Sequence, residues 1–105
     1  MFGERPNATV IRKNASGLND DGIDLFDSQG TEASYNWLVQ NDYDGMYAGP
    51  TSANNKIQYN RAEDNDEHDC HDDSNGTKTA GTANFWFKNI GATENRPGLC
   101  KSKGW

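Results

Sequence analysis

The chain has 105 residues, of which 32% are hydrophobic and 25% are charged, and its formal net charge is -6 at pH 7. A chain of this length predicts one domain, and its acidic balance argues against nucleic acid as a partner, because phosphate binding needs clustered Lys and Arg. No apolar run approaches the roughly 20 residues of a membrane span. The composition instead suits a cation, a neutral glycan, or an anionic glycan bridged by a cation.

A six-residue phrase occurs four times in the chain. Each copy begins with Thr or Asn, has an apolar residue two places later and ends with Asn; the copies lie at 9–14, 36–41, 55–60 and 84–89. Self-similarity at this period is typical of stacked-repeat proteins. Such proteins tolerate a low apolar content, because each repeat packs against its neighbours. The repetition therefore favours an ordered repeat protein over a disordered chain.

Four repeats are predicted in chain order, at 7–30, 31–52, 53–82 and 83–100, followed by a tail at 101–105. In the first repeat, the alternation of 22–25 predicts a strand with Ile23 and Leu25 inward and Asp24 outward. The equivalent strand of the second repeat points Tyr47 outward. The last repeat carries a dense aromatic strand, which suits a cap at the end of a stack.

In the third repeat, the same alignment points Cys70 inward and Asp69 outward. Stacking of the repeats then places Asp24, Tyr47 and Asp69 in one outward column, with His71 nearby. A tyrosine ring flanked by carboxylates is a suitable sugar-binding surface, because the ring stacks on the apolar face of a sugar and the carboxylates bind its hydroxyl groups. The alternative is a solvated polar face without a ligand.

The asparagines that end the four phrases are predicted to be structural. These residues are Asn14, Asn41, Asn60 and Asn89. A buried Asn can bond backbone groups where the chain turns, and Asn tolerates the left-handed backbone that such corners need. We expect their side chains to stack in register as a ladder.

The two cysteines, Cys70 and Cys100, lie too far apart in the sequence to form a compact metal knuckle. A disulfide between them would stabilise the fold by roughly 3 to 4 kcal/mol in the chain-entropy model, and it would indicate an extracellular protein. Two buried free thiols are the alternative.

An acidic run at 63–73 contains His68, Cys70 and His71. This spacing could indicate zinc, but on a strand or turn the two imidazole rings are expected to point to opposite faces. We therefore expect a solvated loop here rather than a metal site.

The pattern of the whole chain resembles the right-handed parallel β-helix, an all-β solenoid, here with about four short coils. The segments at 69–74, 81–84 and 97–100 resemble the closing coils of secreted bacterial β-helix repeat proteins. That resemblance implies a bond between Cys70 and Cys100. The segment Asn-Asp-Asp-Gly-Ile-Asp-Leu at 19–25 is similar to the calcium-binding segment of family 9 pectate lyases. These lyases cleave acidic polysaccharide by β-elimination.

The lyase resemblance implies that Asp20, Asp21 and Asp24 bind calcium, whose oxygen shell a sugar carboxylate could complete. The bound cation would acidify the proton next to that carboxylate, which a base then removes. In the family the base is a lysine in a Gly-aromatic-Lys setting, whereas the comparable position here is Tyr47. An unactivated tyrosine has a pKa of about 10, so lysine-dependent activity is not expected and Tyr47 is a weak catalytic candidate.

Two functions are therefore predicted from the sequence. The first is a secreted module, related to polysaccharide lyases, that binds a uronate-containing polysaccharide with calcium, with or without cleavage. The second is a non-catalytic structural end of a longer solenoid. In both, the uncapped N-terminal coil offers an edge for a homodimer. Paired carboxylates could also serve a glycoside hydrolase, with Asp21, Asp24 and Asp69 as the candidates.

Overall fold

A computed structural model describes residues 21–101, together with the backbone of three short strands at 2–3, 10–12 and 15–17. Asp20 and Asn14 lie outside the described residues. In chain order the strands are β1 (Phe2–Gly3), β2 (Val10–Arg12), β3 (Ala15–Gly17), β4 (Ile23–Leu25), β5 (Glu32–Ser34), β6 (Trp37–Val39), β7 (Asp44–Ala48), β8 (Lys56–Gln58), β9 (Arg61–Glu63), β10 (His68–Asp72) and β11 (Phe85–Phe87). The only helical segment within this part of the chain is a 3-10 turn at Thr79–Gly81. The chain is therefore all-β, as predicted.

The strands form three sheets in which every pair of neighbours is parallel. The strand orders are β1-β4-β7-β10, β2-β5-β8-β11 and β3-β6-β9. The chain visits the first, second and third sheets in that order and then returns to the first. Successive strands of one sheet consequently come from successive repeats of the sequence.

All three sheets contribute side chains to one buried cluster. In β6, β8, β9 and β11 the middle residue is buried and its two neighbours are not. Within the first sheet the inward residues Ile23, Met46 and Cys70 lie in register. These positions confirm the predicted inward orientation of Ile23, Leu25 and Cys70. Trp86 of the last strand is also buried, in register with Ile57.

Buried asparagines stack from one repeat to the next at the corners between sheets. Asn60 Oδ1 accepts hydrogen bonds from the backbone N–H and the side-chain Nδ2 of Asn36, and Asn89 Oδ1 accepts the same pair from Asn60. The Nδ2 groups of Asn60 and Asn89 also donate to the carbonyls of Ala33 and Ile57. Of the predicted ladder, the step from Asn60 to Asn89 is confirmed, and these amides have a structural role because they saturate buried backbone groups.

The predicted alignment of the second phrase, however, is wrong by five residues. Asn36, and not Asn41, stacks below Asn60, while Asn41 stacks below Asn65. A third column joins Thr31, Asn55 and Asn84. Buried polar residues occur every five positions along this part of the chain, so a shift by five preserves the pattern.

At most of the corners the left-handed backbone belongs to the residue before the stacked asparagine. Tyr35, Tyr59 and Lys88 have φ angles of 58°, 56° and 52°, and each directly precedes a buried Asn. The expectation that Asn itself adopts this conformation is therefore wrong. A left-handed conformation costs a residue with a Cβ roughly 1–2 kcal/mol, so the buried amide bonds offset local strain at these corners.

Cys70 and Cys100 form a disulfide, with their Cα atoms 6.5 Å apart. This confirms the pairing and excludes the alternative of two free thiols. Gly91 packs against both sulfur atoms. The bond joins β10, the last strand of the first sheet, to the end of the described chain.

Candidate functional site

The outward face of the first sheet carries a column of three side chains in register. Asp24 on β4 pairs with Tyr47 on β7, and Tyr47 pairs with His71 on β10. All three are half-buried, because their neighbours in each strand point inward. The predicted juxtaposition of Asp24 and Tyr47 is confirmed, and the third member is His71.

Asp69 does not belong to the outward column, which corrects its predicted position. Its side chain is 2% exposed, and Oδ1 accepts hydrogen bonds from the backbone N–H and Nδ2 of Asn65. Oδ2 accepts the backbone N–H groups of Ala92 and Thr93. Asp69 thus occupies the place of an asparagine at the end of the Asn41–Asn65 column, and the first residues of β10 do not follow strict alternation of inward and outward side chains.

Asp44 is the functional candidate that sequence reasoning missed. Its side chain is 7% exposed, and Oδ2 lies 3.1 Å from His71 Nδ1. Oδ1 accepts the backbone N–H of His68, and the Asp44 backbone N–H donates to Asp21 Oδ1. The signal was present in the sequence, because the dipeptide Asp-Gly at 21–22 recurs at 44–45 in the equivalent place of the next repeat.

His71 lies between two carboxylates. Its Nδ1 faces Asp44, and its Nε2 lies 2.9 Å from Oδ1 of Asp73. The hydrogen bond to Asp44 and, after it, that to Asp73 raise the pKa of His71 from 6.5 to about 9, against the opposing effect of burial. The imidazole is therefore charged at neutral pH and donates from both nitrogens.

Tyr47 packs its ring edge-on against the imidazole of His71, with 5.0 Å between ring centroids. Its hydroxyl donates to Asp73 Oδ2 at 3.3 Å. Burial, followed by the negative charge of Asp73, raises the pKa of Tyr47 to about 12. A general base needs a pKa near the working pH, so this environment disfavours Tyr47 as a base.

His68 and His71 lie on the same side of the sheet, which corrects the expectation that their rings diverge. Their ring centroids are 5.0 Å apart, and His68 Nδ1 lies 3.7 Å from Asp44 Oδ1. His68 begins β10 at the end of a corner, so the alternation of an extended strand does not separate the two rings. One ligand atom from each of Asp44, His68 and His71 lies within 4.8 Å of the other two.

The predicted calcium ligands are placed only in part. Asp20 lies outside the described residues, Asp21 accepts the Asp44 backbone N–H, and Asp24 stands in the outward column. Within residues 21–101, the three acidic or imidazole groups close enough to share an ion are those of Asp44, His68 and His71. Neither Asp21 nor Asp24 is among them.

These side chains surround a shallow open depression of about 320 Å³ on the outer face of the first sheet. We call it the acidic groove. It is lined by Asp21, Tyr43, Asp44, Tyr47, Glu67, His71 and Asp73. Two tyrosines, four carboxylates and one imidazolium can bind hydroxyl groups and cations, and the tyrosine rings add apolar surface.

Comparison with protein-family models, with curated proteins and with solved structures finds no match for this chain. In the part of the chain that the structure describes, no helix is long and apolar enough to cross a membrane. The described residues form parallel β-sheets with an acidic groove on one face.

Proposed function

We propose that this chain is a right-handed parallel β-helix whose acidic groove binds a polysaccharide. The β-helix is supported by the fixed order in which the chain visits three parallel sheets and by their shared core. Right-handedness follows from the strong preference of parallel crossover connections for that hand. A location outside the cell fits the disulfide, because such bonds persist in oxidising compartments.

The observation that carries the binding proposal is the registered column of Asp24, Tyr47 and His71. Because the three come from successive strands of one sheet, they present polar and aromatic groups along a line. A chain of sugars is a line of rings with apolar faces and hydroxyl edges. The exposed Tyr43 beside the column extends the aromatic surface on which a ring can stack.

The charge of the groove determines which sugars it suits. Asp21, Asp44, Glu67 and Asp73 surround a single imidazolium, so a uronate would meet net repulsion unless a cation lay between the carboxylates. Calcium remains the proposed ion for an acidic polysaccharide, with Asp20, Asp21 and Asp24 as its proposed ligands, because it accepts carboxylates from protein and sugar together. Binding of a uronate polymer should then require the cation, whereas a neutral glycan should bind without it.

Binding is favoured over cleavage. The pKa of Tyr47 is raised to about 12, and His71 is charged because of Asp44 and Asp73, so neither group is ready to remove a proton at neutral pH. Lyase activity would require calcium or substrate to reorganise these groups. We therefore propose a carbohydrate-binding module and treat β-elimination as an outcome of the test.

The test is calorimetric titration with oligogalacturonate, an alginate oligomer and a neutral cello-oligosaccharide, each with calcium and with chelator. Tyr47→Ala should weaken binding about fivefold, because ring stacking contributes roughly 1 kcal/mol. Tyr35→Ala is the matched control, since it removes an exposed tyrosine from another part of the surface. Ultraviolet absorbance of the same samples reports unsaturated product. Absence of binding across the panel, or an equal loss in Tyr35→Ala, would contradict the proposal.

A structural, self-associating end of a larger solenoid is the second candidate. It is favoured by β1 and β2, which are the outermost described strands at one end of their sheets and which parallel pairing with another chain could extend. This candidate predicts a head-to-head homodimer through the N-terminal edge. Size-exclusion chromatography with light scattering that shows a monomer at all accessible concentrations would rule it out.

A further inference from the structure

We propose that Asp44, His68 and His71 form a binding site for a first-row transition metal ion of the zinc class. This site differs in chemistry from the proposed calcium ligands. The metal site is proposed in addition to glycan binding and does not depend on it, because all of its ligands come from the protein.

The donor set selects the class of metal. Two imidazole nitrogens and one carboxylate oxygen are ligands that zinc and its neighbours accept readily. Calcium instead requires six to eight oxygen atoms. The chain has 16 acidic residues but only two histidines, and both histidines belong to this set.

The distances suit a tetrahedral ion. Asp44 Oδ2 lies 3.1 Å from His71 Nδ1, and Asp44 Oδ1 lies 3.7 Å from His68 Nδ1. Ligand atoms about 2.0–2.1 Å from a tetrahedral centre are about 3.3 Å apart. One ligand atom from each group lies within 4.8 Å of the other two, so side-chain rotations that shorten the longer separations would let one ion reach all three groups. Since three protein ligands leave one tetrahedral position open, that position is available to water or to a ligand oxygen.

A buried atom of His68 supplies an independent indication. Its Nδ1 is buried, and no hydrogen-bond partner lies within reach among the described residues. A buried polar nitrogen without a partner is costly. Lone-pair donation from Nδ1 to a metal would remove that cost.

The surroundings also hold the ligands in place as in known metal sites. Asp73 Oδ1 lies 2.9 Å from His71 Nε2, so the ring nitrogen that faces away from Asp44 is held by a carboxylate. Such carboxylate–histidine–metal arrangements orient the ring and raise its basicity as a ligand. Asp44 is oriented in turn by the backbone N–H of His68.

In the metal-free protein His71 Nδ1 faces Asp44 Oδ2 at 3.1 Å. Metal binding replaces this contact by three coordinate bonds. The disulfide leaves no free cysteine among the described residues, so thiolate does not compete for the metal under non-reducing conditions.

The test uses the full chain without a histidine tag, stripped with chelator and titrated with Zn²⁺ alone, in the absence of sugar. We expect one ion per chain, binding at least about 100-fold tighter than Ca²⁺, and with Co²⁺ the intense visible bands of a four-coordinate site. His68→Ala should weaken Zn²⁺ binding by more than the roughly 10- to 100-fold expected for loss of an outer partner. Asp73→Asn should weaken Zn²⁺ binding by that roughly 10- to 100-fold factor.

Asp66→Asn is the matched control, because it removes a nearby exposed carboxylate outside the set; its affinity should equal that of the parent protein. Circular dichroism of each variant confirms the fold, and His68→Ala is chosen over a change at buried Asp44 for that reason. The proposal is overturned if Zn²⁺ binds His68→Ala as tightly as the parent, if Ca²⁺ competes on equal terms, or if no Zn²⁺ binds. None of these outcomes depends on whether a polysaccharide binds.

Discussion

The asparagine corners and the acidic groove both stack polar side chains in register, yet they use them in opposite ways. At the corners, Asn60 Oδ1 accepts two N–H groups and its Nδ2 donates to a carbonyl and to the next amide. In the groove, the charged groups of Asp44 and His71 face one another, and beside it His68 Nδ1 has no hydrogen-bond partner among the described residues. The amide ladders hold the repeats in register, whereas the groove concentrates charged groups on one outer face, which is the pattern expected of a binding site.

The largest expected effect comes from breaking a corner. Asn60→Ala removes the acceptor of two N–H groups and leaves the buried carbonyl of Ala33 without its donor. Each buried group left unsatisfied costs about 1–3 kcal/mol, so we expect a loss of about 4 kcal/mol in the free energy of unfolding, measured by urea denaturation. Asn75→Ala, at an exposed position, is the control and should stay within about 0.5 kcal/mol of the parent. Equal effects of the two changes would refute the scaffold role of the corners.

The disulfide ranks second. Reduction, or the double change Cys70→Ala and Cys100→Ala, should lower the free energy of unfolding by about 3 kcal/mol, because the bond closes a loop of 30 residues. Urea midpoints with and without reductant measure this effect. Coincident unfolding curves would show that the bond contributes nothing to the fold.

The groove should make stability depend on pH. His71 has a pKa of about 9 in the folded chain and 6.5 ordinarily, so the folded state holds the proton more tightly. The stabilisation is complete below about pH 6.5 and is lost as the pH rises through about 9. After allowance for screening by solvent, we expect a loss of about 1–2 kcal/mol between about pH 6 and pH 9.5.

This measurement is made in chelator, by urea denaturation at each pH. The groups that face the imidazole are the carboxylates of Asp44 and Asp73, the ring of His68 and the ring of Tyr47. The pKa of Tyr47 lies at about 12, so it stays neutral in the folded state over this interval. His71→Gln should flatten the dependence of the free energy of unfolding on pH. If His71→Gln shows the same dependence as the parent, other groups cause the effect.

The smallest effect concerns strain at a corner. Asp64 has a φ of 55° and precedes the stacked Asn65. Asp64→Gly removes the steric cost of a Cβ in this conformation but adds backbone entropy to the unfolded state. We expect a net stabilisation of about 0.5 kcal/mol, whereas Asp64→Ala should destabilise the chain. If the two variants have the same unfolding midpoint, strain at the corners is negligible.

Sequence patterns were sufficient for the parts of the fold in which strand alternation holds. The inward Ile23 and Cys70, the outward Asp24 and Tyr47 and the disulfide were all predictable, because each lies within a regular strand or depends on cysteine chemistry. The five-residue spacing of buried polar residues made the repeat alignment ambiguous. Only the hydrogen bonds between repeats distinguish Asn36 from Asn41 as the neighbour of Asn60.

The candidate site was harder to predict, because its members sit where corners become strands. Asp69 is buried and His68 turns towards His71, although alternation predicts the reverse for both. The only sequence signal for Asp44 is the Asp-Gly dipeptide of 21–22 that recurs at 44–45. Its role depends on His71 lying beside it in the next strand, which follows from the register and not from local sequence.

The central claim is that the acidic groove, and not another outer surface, is where the chain binds its ligand. Amide chemical shifts of the ¹⁵N-labelled protein, titrated with the tightest oligosaccharide of the panel, test it most directly. We predict that the largest changes occur at Tyr43, Tyr47, His71 and Asp73, and that in Tyr47→Ala they require an about fivefold higher oligosaccharide concentration. Changes centred on the aromatic cluster of Tyr35, Tyr59 and Phe87, with the groove unperturbed, would contradict the account.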